Sequence, residues 1–253
     1  MKIWLKITYD GRRFCGWQAQ DNGRSVQRTL TDACSLLYGR RCLITGCSRT
    51  DSGVHARAYS CTVAFADEDA PAIESVIPAP DVVRALNARL PEDVAVLSAE
   101  VADDGFHPRY DVRSKTYEYV FRDADVRSPF LSGFVYHTRP ISDEALIRMD
   151  EAARAMCGRR DFAAFMASGS KITDTVRNVY ECGVRREGEL VIFRVSADGF
   201  LYKMVRTMAG TALAAARGRI ATEDIDSIIA SRERRRAGET LPPDGLYLCE
   251  VAY

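Results

Sequence analysis

Two stretches of this chain carry the same order of apolar patterns, and that order restricts the fold more than any single residue does. Ile3, Leu5 and Ile7 alternate with polar neighbours, which predicts a first strand. Ser25 can cap a helix whose apolar face is Val26, Leu30, Ala33 and Leu37 and which Gly39 ends. Residues 57–66 alternate again, with Tyr59, Cys61, Val63 and Phe65 on one face. A Pro-rich stretch, 71–80, leads into a helix carrying Val82, Val83, Leu86 and Leu90 that stops at Pro91, and 94–101 is a further strand. The order then repeats. Residues 114–121 predict a strand with Tyr117, Tyr119 and Phe121 on one face. Ser142 caps a helix that turns Ala145, Met149, Ala152 and Met156 inward before Gly158. Residues 178–185 and 190–196 form a hairpin around Glu187-Gly188. A helix over 200–216, a short one that Thr222 caps and that runs to Ser231, and a strand over 246–251 complete the pattern.

Strand–helix–strand–helix–strand in each half predicts an α+β fold. It would be built from two ferredoxin-like halves that share a mainly antiparallel sheet. The polar segment 103–113 reads as the link, so the expected halves are 1–104 and 105–253. A chain of 253 residues can bury a sizeable core. No apolar run approaches the roughly 18 residues that span a bilayer, so no membrane association is expected. The alternating N-terminus, interrupted by Asp10-Gly11-Arg12-Arg13, reads as a strand of a cytoplasmic protein rather than a leader. The eight cysteines form no Cys-x-x-Cys pair and are expected to be reduced, mostly buried thiols. His55, His107 and His137 lack ligand spacing, so no metal site is expected.

Net charge is zero, which argues against a uniformly basic nucleic-acid binder. Only five of the 35 basic residues are lysine. Arginine suits phosphate and base stacking better than lysine does, although genome composition also produces such a bias. Local basic clusters lie at Arg12-Arg13, at Arg40-Arg41, at Arg109, Arg113, Lys115 and Arg122, and at Arg232 with Arg234 to Arg236.

The stretch Cys47-Ser48-Arg49-Thr50-Asp51-Ser52-Gly53-Val54-His55-Ala56 places a carboxylate on a tight turn between apolar segments. A carboxylate there can be aimed by the turn and bonded by backbone N–H groups, as a nucleophile or base requires. An Asp-Ser-Gly bend is more often an ordinary turn, and what raises this one above that is its company. Tyr9-Asp10-Gly11-Arg12-Arg13-Phe14-Cys15-Gly16-Trp17-Gln18-Ala19-Gln20 mixes turn glycines with aromatics and amides after a strand. Phe106-His107-Pro108-Arg109 precedes Ser114-Lys115-Thr116-Tyr117-Glu118-Tyr119, where a strand tyrosine beside cations can stack on a base. Ala197-Asp198-Gly199-Phe200-Leu201-Tyr202-Lys203-Met204-Val205-Arg206 places an arginine about two turns into the predicted helix. Leu241-Pro242-Pro243-Asp244-Gly245-Leu246 turns into the last strand.

In this order and at these distances, the segments resemble the tRNA pseudouridine synthase A family from Tyr9 to Tyr253. Arg-Thr-Asp-x-Gly-Val-His-Ala is the most specific element. Tyr-Asp-Gly-x-x-Phe-x-Gly-Trp-Gln, Leu86-Asn87-Ala88-Arg89-Leu90-Pro91 and Lys-Met-Val-Arg agree with it. Ser48, where many bacterial members have glycine, is a departure that bears only on the local backbone. The resemblance implies the pseudouridine synthase fold with a central active-site cleft. It implies a cofactor-free isomerisation of uridine to pseudouridine in the tRNA anticodon arm, at positions 38, 39 and 40, by a homodimer. It implies that Asp51 is the catalytic aspartate, attacking C1′ of the sugar or removing its 2′ proton, with attack at uracil C6 ranked lower. Tyr117 matches the active-site tyrosine that stacks on the target base. Arg206 matches the arginine that pairs with the aspartate, and Arg49 the residue that enters the stem as the uridine flips out. Lys115, His55 and Gln18 are the further substrate-binding residues it points to. A non-catalytic RNA-binding protein of the same fold would lack the acid at position 51. A metal- or nucleotide-dependent transferase would need a ligand cluster or a phosphate loop, and the sequence carries neither.

Overall fold

The computed structural model describes residues 2–21, 23–67, 69 and 71–253. Backbone contacts divide the chain into two units, Met1–Arg113 with Leu248–Tyr253, and Ser114–Tyr247. The first contains, in chain order, β1 (Lys2–Tyr9), α1 (Val26–Tyr38), β2 (Cys42–Gly46), β3 (His55–Phe65), α2 (Ile73–Val76), α3 (Ala79–Asn87) and β4 (Val94–Ala102). Its strands lie in the order β4-β1-β3 with β2 on β3, and all three pairings are antiparallel. With α1 and α3 as crossovers, this is the ferredoxin-like βαββαβ arrangement. The β1–β3 register sets Ile3 opposite Val63, Leu5 opposite Cys61 and Ile7 opposite Tyr59. All six are buried, because directly opposed residues share one face of the sheet. On the helices, Val26, Leu30 and Cys34 of α1 and Val82 and Leu86 of α3 are buried to match.

The second unit contains β5 (Ser114–Asp123), β6 (Tyr136–Thr138), α4 (Asp143–Arg154), β7 (Gly158–Asp161), β8 (Val176–Glu187), β9 (Leu190–Ala197), α5 (Met204–Ala216) and α6 (Ile225–Ser231). Its strands lie in the order β5-β9-β8-β7, all antiparallel, and β6 is parallel to β5. The hairpin turns at Glu187 to Leu190, where Gly188 takes a φ of 60°. α5 is buried on almost every side and packs against α4. The last strand, β10 (Leu246–Ala252), begins in this unit and ends in the first, where it lies beside β3. There the Arg113 N–H donates to Ala252 O at 2.9 Å. The Tyr253 hydroxyl contacts Ser60 Oγ at 2.6 Å and Pro108 O at 2.8 Å, and its ring packs edge-on against Trp4.

The α+β class with mostly antiparallel sheet is as the sequence predicts, and Ser25 and Ser142 cap α1 and α4 through their hydroxyls. Three helix boundaries differ. α3 stops at Asn87 rather than reaching Leu90, because the Asn87 side chain bonds both Val96 N–H (2.7 Å) and Val96 O (2.9 Å) and so commits that end to β4. α5 starts at Met204 rather than Phe200, since Lys203 takes a left-handed φ of 56° and the preceding residues are irregular. Thr222 caps nothing: it opens a single 3₁₀ turn, Thr222–Asp224, from which α6 continues. Strands β2, β6 and β7, of 5, 3 and 4 residues, are too short to give a periodic signal. All eight cysteines are thiols, five of them buried. Among the described residues no helix is long and apolar enough to cross a membrane.

Ser25 Oγ accepts from Arg28 N–H at the buried start of α1. Ser25→Ala is therefore expected to lower unfolding free energy by about 1 kcal/mol, measured by urea titration.

Candidate active site

The loop that carries Asp51 is shaped by the segment that follows β1. Gly16 has a φ of 101°, and a Cβ there would lie 2.6 Å from Thr50 O and 3.2 Å from the carbonyl carbon of Asp51. Only glycine permits both the conformation and the approach. The Trp17 N–H then donates to Thr50 O (3.1 Å), the Gly53 N–H to Phe14 O (3.3 Å) and the Ser52 hydroxyl to Phe14 O (3.2 Å). Gly11 presses against the far end of the loop, where a Cβ would meet Val54 O at 2.0 Å. Within the loop, Val54 N–H bonds Asp51 O at 3.2 Å, Gly53 takes a φ of 80°, and the buried Thr50 hydroxyl meets Tyr9 Oη at 2.8 Å. The mould is itself held, since Gly16 O and Trp17 O accept from Val26 and Gln27 N–H at the start of α1. Asp51 is half-buried at the centre of this frame.

Below the loop Trp17 stacks on Tyr59, with ring centres 4.0 Å apart and planes at 23°. The Tyr59 hydroxyl donates to Ser48 O. A Cβ at Gly46 would fall 2.2 Å from that hydroxyl and 2.6 Å from the indole, so Gly46 makes room for the pair. Ser48 thus sits where its carbonyl fixes the backbone entering Arg49.

His55 is 1% exposed, and its Nδ1 faces the Gly11 N–H at 3.1 Å and Asp10 Oδ1 at 3.3 Å. One ring nitrogen cannot accept from the first and donate to the second. The Gly11 bond suits a ring this buried and puts the proton on Nε2. These contacts tie β3 to the mould. Asp10 also takes a bidentate grip from Arg12, 2.9 Å and 3.0 Å from Nε and 2.6 Å from Nη2. Burial raises the Asp10 carboxyl pKa, but the hydrogen bonds and charge of Arg12 outweigh it and hold the group below its ordinary 3.8. Arg49 and Gln18 are exposed and line a cleft of about 230 Å³ together with Trp17.

The remaining predicted residues lie in the second unit. Tyr117 is buried on β5 opposite Val195 of β9, and Phe200 meets its ring edge-on at 5.1 Å and 85°. Lys115, half-buried two residues earlier, points to the same face of the strand. Arg206 falls in the first turn of α5, not two turns in, because the helix starts late. Its Nε donates to Leu241 O at 2.6 Å and its carbonyl accepts from Leu241 N–H at 3.3 Å. That clamp works because α5 lies against bare backbone. A Cβ on Gly210 would sit 2.0 Å from Glu239 O, and one on Gly238 would sit 2.6 Å from Thr211 Cα. Thr211 Oγ1 accepts from Gly238 N–H at 2.9 Å, and Tyr119 Oη donates to Pro242 O at 2.8 Å. Gly210, Gly238 and the Leu241 carbonyl were not singled out in the sequence. A glycine inside an otherwise helical run was the signal available.

The first unit thus has ferredoxin-like order and bears an aspartate on a glycine-moulded loop. The chain matches the family model described as tRNA pseudouridine synthase over residues 6–111 and 152–253. It is 40% identical over 252 residues to tRNA pseudouridine synthase A of Pelobacter propionicus, covering 99% of each chain. It is 38% identical to the proteins of that name from Clostridium botulinum, with 99% of each chain covered, and Ruminiclostridium cellulolyticum, with 100% of this chain and 99% of the relative covered. Among solved structures, a Cbf5-Nop10-Gar1 complex matches 84% of this chain and 44% of that one at 13% identity and a TM-score of 0.36, too distant to carry weight. The chain belongs to the tRNA pseudouridine synthase family.

Because the Asp10 carboxyl sits below 3.8 in the folded state, its contribution to stability is complete above about pH 4 and is lost as pH falls through the lowered value. Asp10→Asn is expected to flatten this part of the acid-unfolding profile, followed by circular dichroism, and to leave the neutral-to-alkaline side unchanged in slope.

Proposed function

We propose that the protein isomerises uridine in the anticodon arm of tRNA, at positions 38, 39 and 40, with Asp51 as the catalytic carboxylate. The observation that supports this best is the mould around Asp51. The two motifs most specific to the family, Tyr9–Gln18 and Arg49–Ala56, lie against each other through glycine backbone, and the carboxylate is borne at their junction.

The reaction breaks the bond from C1′ to N1, turns the uracil and forms a bond from C1′ to C5, whose proton is released while N1 takes one up. No group or electron is lost, so the chemistry calls for no redox cofactor. Asp51 attacks C1′, giving a glycosyl ester, or removes the 2′ proton, giving a glycal. In both routes uracil leaves as an anion that must be kept in place while it turns. Tyr117 stacks on that ring and offers a hydroxyl for late proton transfer, Arg206 pairs with the aspartate, and Arg49 fills the gap left by the flipped base. Gln18 and Lys115 contact the substrate. His55, by its burial, acts on the loop. The unit formed by Met1–Arg113 with Leu248–Tyr253, rather than residues 1–104, carries the aspartate, and Ser114–Tyr247, rather than 105–253, carries the tyrosine and the paired arginine. The protein works in the cytoplasm as a homodimer, which light scattering at two loading concentrations would test.

Asp51→Asn is expected to abolish pseudouridine formation while tRNA affinity stays within about threefold, as read by mass-spectrometric mapping of modified tRNA and by filter binding. Mutant turnover near the wild-type rate would refute the assignment. Tyr117→Phe is expected to keep affinity and lose about 10²-fold in single-turnover rate, the range of one general acid–base contribution. RNA deuterated at C2′ separates the two routes: a primary isotope effect indicates the glycal, and its absence the glycosyl ester.

A further inference from the structure

The first unit carries a polar cleft that the roles above use only at its Arg49 and Gln18 edge. Its opposite wall is His107, Arg109 and Tyr110, just after β4. Tyr110 is 75% exposed. The ring is nevertheless held. His107 stacks against it at 4.2 Å with planes at 30°, and the Arg109 guanidinium lies 5.8 Å from its centre. His107 in turn is held, because its Nδ1 accepts from the backbone N–H groups of Arg109 (3.1 Å) and Tyr110 (3.3 Å), while its backbone N–H donates to Asp111 Oδ2 at 2.8 Å. Pro108 O takes the Tyr253 hydroxyl, which anchors the turn to the core of the unit. The result is an aromatic plate braced by its neighbours in the turn and still largely open to solvent.

Across the cleft the amides have a determined orientation. Gln27 Nε2 donates to Ile44 O at 2.9 Å and Gln27 Oε1 accepts the Ala19 N–H at 2.9 Å. A backbone carbonyl only accepts and a backbone N–H only donates, so the Gln27 amide cannot be flipped. Gln18 must then present its NH₂ to Gln27 Oε1, at 2.9 Å. That leaves the carbonyl and second N–H of the exposed Gln18 amide to offer, one acceptor beside one donor, the complement of a base edge. A plate, an amide edge and two guanidinium groups, Arg49 and Arg109, around about 230 Å³ have room for one heteroaromatic ring and not for a duplex. Stacking of an unpaired base on such a plate is worth an affinity change large enough to measure.

We propose that this cleft binds a second, unpaired nucleobase of the RNA substrate, separate from the uridine that is modified, stacked on Tyr110 and read at its edge by Gln18. The inference rests on the tRNA reading above. The bound base is held while the target is extruded, so it sets which nucleotide of the strand reaches Asp51.

The test is a cycle between protein and RNA, read as Kd for anticodon-arm RNA by filter binding, with abasic sites introduced one at a time through the loop. Tyr110→Ala is expected to weaken binding of intact RNA by about tenfold and Tyr110→Phe by less than twofold. One abasic position should weaken wild-type binding by a similar factor and leave Tyr110→Ala unaffected. Gln18→Ala should weaken binding only when the base at that position is one that pairs with an amide. Thermal melts of Tyr110→Ala should match wild type, because the ring is exposed. Additive effects at every abasic position, or unchanged Kd for Tyr110→Ala, would overturn the proposal, as would a variant that alters self-association and not RNA affinity. The readout is binding, so wild-type protein that binds RNA with this pattern but forms no pseudouridine would sink the catalytic reading and leave the cleft standing.

Discussion

Two stretches of backbone in the first unit lie too close together for any side chain between them, and the loop that carries Asp51 takes its shape from them. Gly16 lies so near Thr50 O that any side chain would intrude, and Gly11 does the same at Val54 O. A loop held by side chains would move as rotamers change. A loop held by carbonyls and N–H groups at van der Waals contact has few alternatives, so the backbone that carries Asp51 is fixed. The glycines are thus a positional constraint, and the aromatic pair Trp17–Tyr59 beneath them keeps the floor from sinking. The second unit solves the same problem in the same way. α5 meets the 238–241 segment with glycine on both sides, and the Leu241 carbonyl takes Arg206 Nε. That bond fixes the guanidinium against the 238–241 segment.

Much of this was legible in the sequence, and the reasons differ by element. β1 was readable because one face is buried and its polar and apolar residues alternate, whereas β3 and β5, buried on both faces over Tyr59–Val63 and Thr116–Phe121, were readable because their residue types still alternate. α1 and α4 were readable because serine caps have a local cause. The late start of α5 was not, because it depends on a left-handed Lys203, a conformation that lysine gives no reason to expect. The early end of α3 was hidden too, since it turns on Asn87 finding Val96 in another element. The aspartate could be picked out only through the resemblance, because Asp-Ser-Gly alone is a common bend. What sequence could not express is which carbonyl each glycine faces, and that is a tertiary fact.

His55 illustrates the difference between a motif and a role. It belongs to the most specific stretch of the chain, which invites a substrate contact. Its ring is buried, and its Nδ1 accepts from the Gly11 N–H instead. A residue can belong to a signature because it holds the loop, and burial separates that case from contact with RNA.

The last strand has a consequence for how the protein is made. β10 starts in the second unit and finishes in the first, beside β3. During synthesis the ribosome must therefore deliver the whole of residues 114–247 before the first unit receives its final strand. At elongation rates of about 5–20 residues per second, that delay is on the order of ten seconds. For that time the β3 edge lacks its partner, and the hydroxyl of Ser60 waits for Tyr253. The order of translation and the order of completion are reversed: the unit begun first is closed last.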